Sequence, residues 1–260
     1  MIKRVDNMNL YEAIYARYSV RKYRMEPVED KIIEGIFRFL EESEPLFPEI
    51  KICVKIYPEQ GEKLRFFGLM GVSAPHYLAV FTEKKEKSEM NAGYVMQQIA
   101  LYLTSKGVGS CYQGGKKKHD AKLEEDGFFC AMVMAFGYPK NLVKKRNSKR
   151  LSLEELCAFK AQPKAHTKEL LEMARLSPSS FNSQPWRFVV YENRFHVFSK
   201  KPVIGQDRRN KYDEFNFGVM LANVMTAAEE LWIDVDLIKL DNITHITLPN
   251  NQYVISVILK

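Results

Sequence analysis

The sequence predicts an α+β protein in which helices flank β-sheets and one order of elements runs twice along the chain. Three observations carry this. Segments with apolar residues at helical spacing alternate with short apolar runs, as where residues 27–40 are followed by 51–56. A nearly continuous apolar run at 128–136 suits a central strand covered on both faces. A long helical pattern at 93–106 recurs at 218–231, where Gln98 aligns with Asn223, Ala100 with Met225 and Val108 with Ile233.

The 260 residues, 46% of them hydrophobic, suffice to bury a full core. The repeat divides them into residues 1–160 and 161–260, expected to pack as one compact unit. The N-terminus carries no apolar signal, and no stretch reaches the about 18 apolar residues of a membrane span, so a cytoplasmic location is expected. Cys53, Cys111, Cys130 and Cys157 form no Cys-x-x-Cys pair and read as reduced core residues. Five scattered histidines show no metal-ligand spacing, so no metal is expected. The net charge of +7 is concentrated in Lys116-Lys117-Lys118 and in residues 144–150. Neither run is interleaved with aromatics as a single-strand binder requires, which argues against nucleic acid.

In chain order, Leu10, Ile14, Tyr15 and Tyr18 fall on one helical face, with Asn9 placed to cap it. That helix delivers Arg17, Tyr18, Ser19 and Arg21, whose two guanidinium groups and hydroxyl can converge on a dianion. Residues 27–40 form an amphipathic helix and 51–56 a strand. Tyr77-Leu78-Ala79-Val80-Phe81 reads as a buried strand, and 91–106 as a long helix capped by Gly107. A Gly-rich segment follows, ending in Gln113, Gly114 and Gly115, where a backbone can approach a ligand closely. After the strand at 128–136, Lys149 and Arg150 precede a short tail at 151–156. The second pass brings a helix at 163–176, a strand at 186–191 and a closing strand at 253–259.

Between that helix and strand stands Pro178-Ser179-Ser180-Phe181-Asn182-Ser183-Gln184-Pro185-Trp186. Its prolines forbid helix, so an extended loop is expected, presenting hydroxyls and amides to a planar polar ligand. On residue types alone an ordinary helix-to-strand turn fits as well. The order Pro-Ser-Ser-x-Asn-x-Gln-Pro-Trp resembles the signature loop of the nitroreductase family of FMN oxidoreductases. The segment 17–21 resembles that family's phosphate-gripping Arg-x-Ser-x-Arg, the segment 113–115 its flavin-N5 loop, and 149–156 its basic close.

The resemblance implies a nitroreductase-like fold with mixed central sheets. It implies FMN bound by Arg17, Tyr18, Ser19, Arg21, Gln113, Gly114, Gly115, Lys149, Arg150, Pro178, Ser179, Ser180, Asn182 and Gln184. NAD(P)H would reduce the flavin, and a flat electron-poor acceptor such as a nitroaromatic or quinone would reoxidise it. No side chain is required as a catalytic proton donor. The first repeat holds the phosphate motif but lacks the serines at 45–50, and the second holds the Ser-rich loop but lacks an Arg-x-Ser-x-Arg. This is similar to nitroreductase relatives that carry both halves on one polypeptide as an intrachain pseudo-dimer, so a monomer with one site is expected. The segment that would meet the flavin pyrimidine edge is 61–71, where Lys63 and Arg65 are candidates and the glycines suggest backbone contacts instead. A flavin-binding protein with little turnover, a sensor or store, is the alternative.

Overall fold

The computed structural model describes residues 8–58, 72–113, 126–141, 149–200, 211–241, 243 and 252–260. The chain divides into two compact units, Met1–Asn147 and Ser148–Lys260.

In the first unit, Asn9 caps α1 (Leu10–Ala16) through a reciprocal box, accepting from Glu12 N–H at 2.8 Å while Asn9 N–H donates to the Glu12 carboxylate at 3.1 Å. The amphipathic helix α2 is Asp30–Glu42. Strands β1 (Ile52–Pro58), β2 (His76–Glu83), β3 (Gly109–Gln113) and β4 (Phe128–Gly137) form an antiparallel sheet in the order β1-β2-β4-β3. The apolar run therefore forms an inner strand, as its composition requires, and Met134, Ala135 and Phe136 on it are fully buried. The long helix α3 (Ser88–Ser105) is buried around most of its circumference. It closes in a Schellman turn, with Gly107 at φ +74° donating to Thr104 O and Val108 N–H to Leu103 O.

The second unit repeats this order. Helix α4 (Leu153–Leu156) leads into β5 (Cys157–Phe159), and α5 (Ala165–Leu176) precedes β6 (Trp186–Val190) and β7 (Arg194–Ser199). The long helix α6 (Asp213–Glu230) then leads to β8 (Val235–Ile238) and β9 (Gln252–Leu259). The sheet order is β5-β6-β7-β9-β8, which is the first sheet's order with β5 added in parallel to β6. Its core is Trp186, Phe188, Phe195 and Phe198 against Leu170, Met220 and Leu221. Helix α6 also ends in a Schellman turn, but Trp232 at φ +56° occupies the position that Gly107 fills in the first unit.

The boundary at 147/148 lies earlier than the 160/161 division expected from the sequence. The reason is pairing: Cys157, Ala158 and Phe159 match Phe188, Val189 and Val190 in the ladder, so the tail folds with the second half. All four cysteines are free thiols, buried or half-buried. His76 accepts Val28 N–H at 2.9 Å and His196 Nδ1 meets Ser256 Oγ at 2.6 Å, both core roles. Among the described residues, no group of ligands could hold a metal ion, and no helix is long and apolar enough to cross a membrane.

Candidate functional site

In the first unit, α1 ends at Arg17, whose backbone turns extended, and the chain then runs alongside β3. Val20 N–H donates to Ser110 O at 3.0 Å, and Ser19 bridges Ser110 in parallel. This approach needs Gly109, since a Cβ there would collide with the Val20 side chain. The result is a guanidinium held in the interior: Arg17 is only 3% exposed. Burial pulls its pKa below the usual range, opposed by Tyr112, Cys111 and Tyr23 and reinforced by Arg21. Arg21 is exposed, and Tyr18 packs at the edge of the core cluster of Val20, Tyr23 and Phe81. Beside them the Ser110 hydroxyl is buried with no hydrogen-bond partner. A retained cation next to an unused hydroxyl suits an oxyanion.

Gln113 closes β3, its Oε1 accepting Val72 N–H at 3.2 Å and its Nε2 donating to Cys111 O at 3.0 Å. Gly114, Gly115, Lys63 and Arg65 lie outside the described residues.

In the second unit, the segment between Pro178 and Pro185 is not extended. It closes a 3-10 turn at Ser180–Asn182, with Asn182 N–H on Ser179 O at 2.9 Å and Ser183 N–H on Ser180 O at 3.1 Å. The prolines forbid an α-helix across the segment but permit this single tight turn between them. Phe181, Asn182 and Gln184 all take positive φ, at 54°, 54° and 46°. Three such residues in four store local strain, which the surrounding bonds must hold.

Those bonds come from the tail. Asn182 Oδ1 accepts from Arg150 Nη1 at 2.7 Å, and its Nδ2 donates to Lys149 O at 3.0 Å. Gln184 Oε1 accepts Leu151 N–H at 2.8 Å, and Arg150 Nε donates to Leu176 O at 3.4 Å. The structure thus brings Lys149 and Arg150 onto the Ser-rich loop. Expected to face a ligand, the Asn182 and Gln184 amides are engaged in fixing the loop to residues 149–151. Inside the loop, Ser179 Oγ accepts Gln184 N–H at 2.9 Å, which leaves the Ser179 hydroxyl proton free to donate. Pro178 is buried, while Ser180 is half-buried with its N–H on Asn216 Oδ1 at 2.9 Å.

Three further groups belong to this loop or to the residue bonded to it: Ser183 Oγ, Trp186 Nε1 and Asn216 Nδ2 are buried and have no hydrogen-bond partner. Each can donate, and a buried donor left unmade costs about 1–3 kcal/mol. Sequence reasoning named Ser110, Ser183 and Trp186 only within motifs and gave Asn216 no role. A separate cleft of about 370 Å³ lies at the far end of β5, lined by Phe159, Lys160, Gln162, Pro163, Lys168 and Leu171 among others.

A family model described as "Putative TM nitroreductase" matches residues 9–228. Among solved structures, the chain is similar to a protein titled a putative nitroreductase from Thermotoga maritima. The two are 21% identical, with 97% of this chain and 93% of that one covered at a TM-score of 0.66. A nitroreductase with bound FMN from Bacteroides fragilis is 16% identical, covering 55% of this chain and 96% of that one at a TM-score of 0.42. A putative nitroreductase in complex with FMN from Desulfovibrio desulfuricans is 19% identical, covering 58% and 95% at 0.46. Among curated proteins nothing matches.

Proposed function

The chain belongs to the putative TM nitroreductase family, matched over residues 9–228, and from that premise we propose that it is an FMN-dependent oxidoreductase. NAD(P)H is the electron donor and a flat, electron-poor small molecule such as a nitroaromatic or quinone the acceptor. The observation that carries this reading is the set of buried, unused donors on and around the Ser-rich loop, together with the buried Arg17. Ring carbonyl oxygens supply the acceptors that the loop donors lack, and a phosphate carries the charge that a buried guanidinium attracts, so the residues present fit the group.

When bound, FMN supplies the hydride and electron chemistry. The protein's own residues bind and orient it. Arg17 and Arg21 would neutralise the phosphate and Ser19 would donate a hydrogen bond to it, Arg17 with the advantage of a low-dielectric setting. Ser179 and the unused loop donors would bind the ring, with Lys149 and Arg150 holding that loop in shape. No side chain is assigned a proton to move. The first unit carries the phosphate-type ligands and the second the ring-type ligands, and the first unit's sheet order recurs in the second, which supports the fused-duplication reading.

The test begins with the purified protein, expected to carry a flavin spectrum that NADPH bleaches without oxygen and a nitroaromatic restores. A colourless protein that FMN does not stabilise against heat refutes the reading. Charge-assisted contacts contribute about 1.5–3 kcal/mol, so Arg17→Ala should weaken FMN roughly 10- to 150-fold.

A further inference from the structure

The two long helices carry an asparagine at the same place, two residues before Gly93 in α3 and two before Gly218 in α6. Each reaches from its helix's first turn to the loop preceding its unit's first sheet strand of the repeat. Asn91 is fully buried and uses its whole amide there: Oδ1 accepts Phe47 N–H at 2.9 Å, and Nδ2 donates to Phe47 O at 3.0 Å and Ile50 O at 3.2 Å. Asn216, 1% exposed, makes the matching bond with Oδ1, to Ser180 N–H, but its Nδ2 has no partner. The Asp213 carboxyl, one turn earlier, lies close enough for the Asn216 amide to favour its ionised form, but no well-formed hydrogen bond closes between them.

The difference traces to the turn. Carbonyls of the second loop are drawn into its 3-10 turn, Ser179 O by Asn182 N–H and Ser180 O by Ser183 N–H, so they do not serve the helix asparagine as Phe47 O and Ile50 O do. The loop that closes on itself leaves this buried amide arm unused, as are two buried donors of the loop's own segment, Ser183 Oγ and Trp186 Nε1. All three are uncharged, which suits a neutral carbonyl acceptor; a dianion calls for charged donors.

Resting on the FMN reading, we propose that Asn216 is a further ligand-contacting residue. It holds the loop through Oδ1 and donates through Nδ2 to a carbonyl oxygen of the flavin ring.

The experiment measures equilibrium binding of FMN and of riboflavin, which lacks the phosphate, by flavin fluorescence, alongside the melting temperature without flavin. Asn216→Asp keeps an acceptor for Ser180 N–H and removes the donor, so both flavins should weaken by at least threefold and by equal factors. Asn91→Asp is the matched control, expected to lower the melting temperature and leave flavin affinity unchanged. In wild type, the side-chain amide resonance of ¹⁵N-labelled Asn216 should shift on adding riboflavin while that of Asn91 stays. This second readout does not depend on any variant folding. Affinity unchanged in Asn216→Asp, loss of FMN but not riboflavin affinity, an equal loss in the Asn91 variant, or a stationary Asn216 resonance overturns the inference alone. Wild-type protein that binds neither flavin overturns the functional reading and this inference together.

Discussion

Replacing Gln184 separates two things that this residue does at once. It is 4% exposed, sits at φ +46°, accepts Leu151 N–H at 2.8 Å and donates to Asn182 O at 3.4 Å. Gln184→Ala removes both bonds, strands the Leu151 N–H and keeps the left-handed backbone. Stranding a buried donor costs about 1–3 kcal/mol, and the alanine retains a backbone penalty of about 1 kcal/mol that glycine does not carry. Gln184→Gly loses the same bonds but sheds that penalty. Alanine should therefore cost about 2 kcal/mol and glycine about 1 kcal/mol. The assay is urea unfolding of the flavin-free protein. With a slope of about 2 kcal/mol/M, the midpoint should fall by roughly 1 M in the alanine variant and about half that in the glycine variant. A glycine variant no more stable than the alanine one would refute the claim of strain. Either variant within about 0.5 kcal/mol of wild type would refute the claim that the side chain ties the loop to the tail.

Three other outcomes follow from separate observations. Burial pushes the half-buried Asp213 carboxyl from 3.8 up to about 6, against the amide of Asn216. The folded state holds that proton more tightly than the unfolded one, so stability is fully present below about pH 4 and is lost as pH rises through about 6. Discounted for solvent screening, this amounts to about 1 kcal/mol, and Asp213→Asn should restore it at pH 8 in thermal unfolding while flattening the slope; an unchanged slope counts against it. Trp232 is 95% exposed at φ +56° in the site where α3 is followed by Gly107, so Trp232→Gly should raise stability by about 1 kcal/mol in urea, and a loss would contradict that. Flavin released by denaturation should number one per chain, because residues 157–162 offer Lys160 but no arginine and Phe47 gives its N–H and C=O to Asn91. A ratio near two would show that the cleft beside Lys160 and Lys168, or the loop at 45–50, holds a second flavin.

What was legible in the sequence is what local chemistry decides. The Asn9 cap, the Gly107 terminus and the apolar run of β4 follow from spacing and capping within a few residues and stand where their patterns placed them, while both long helices are present but begin earlier than their patterns, at Ser88 and Asp213. The strand β5 was not read, because three residues have no periodicity to detect and exist as a strand only through β6. For the same reason the division between units moved: the tail has no local preference strong enough to assign it, and its partners near Leu176, Asn182 and Gln184 do so. The loop itself marks the boundary between the two kinds of information. Its prolines exclude a continuing helix, but whether the residues between them extend or coil depends on Arg150 and Asn216, which lie far off in sequence.

That dependence also explains why the two halves of one pattern came to differ in chemistry. Both loops are clamped by an asparagine from a long helix, so the scaffold is common to them. In the first, the clamp closes on backbone carbonyls and every amide proton of Asn91 is used locally, leaving nothing for a ligand. In the second, the coil between Pro178 and Pro185 turns its carbonyls onto its own N–H groups, and the tail, not the ligand, fixes Asn182 and Gln184. The donors left over are those that reach the loop from outside the turn or stand at its exit: Asn216, Ser183 and Trp186. A signature motif read as a row of ligands thus acts in large part as a frame. The amides of Asn182 and Gln184 hold that frame, and the buried donors left without a bond are Trp186 of the motif, Ser183 at one of its variable positions and Asn216 from outside it.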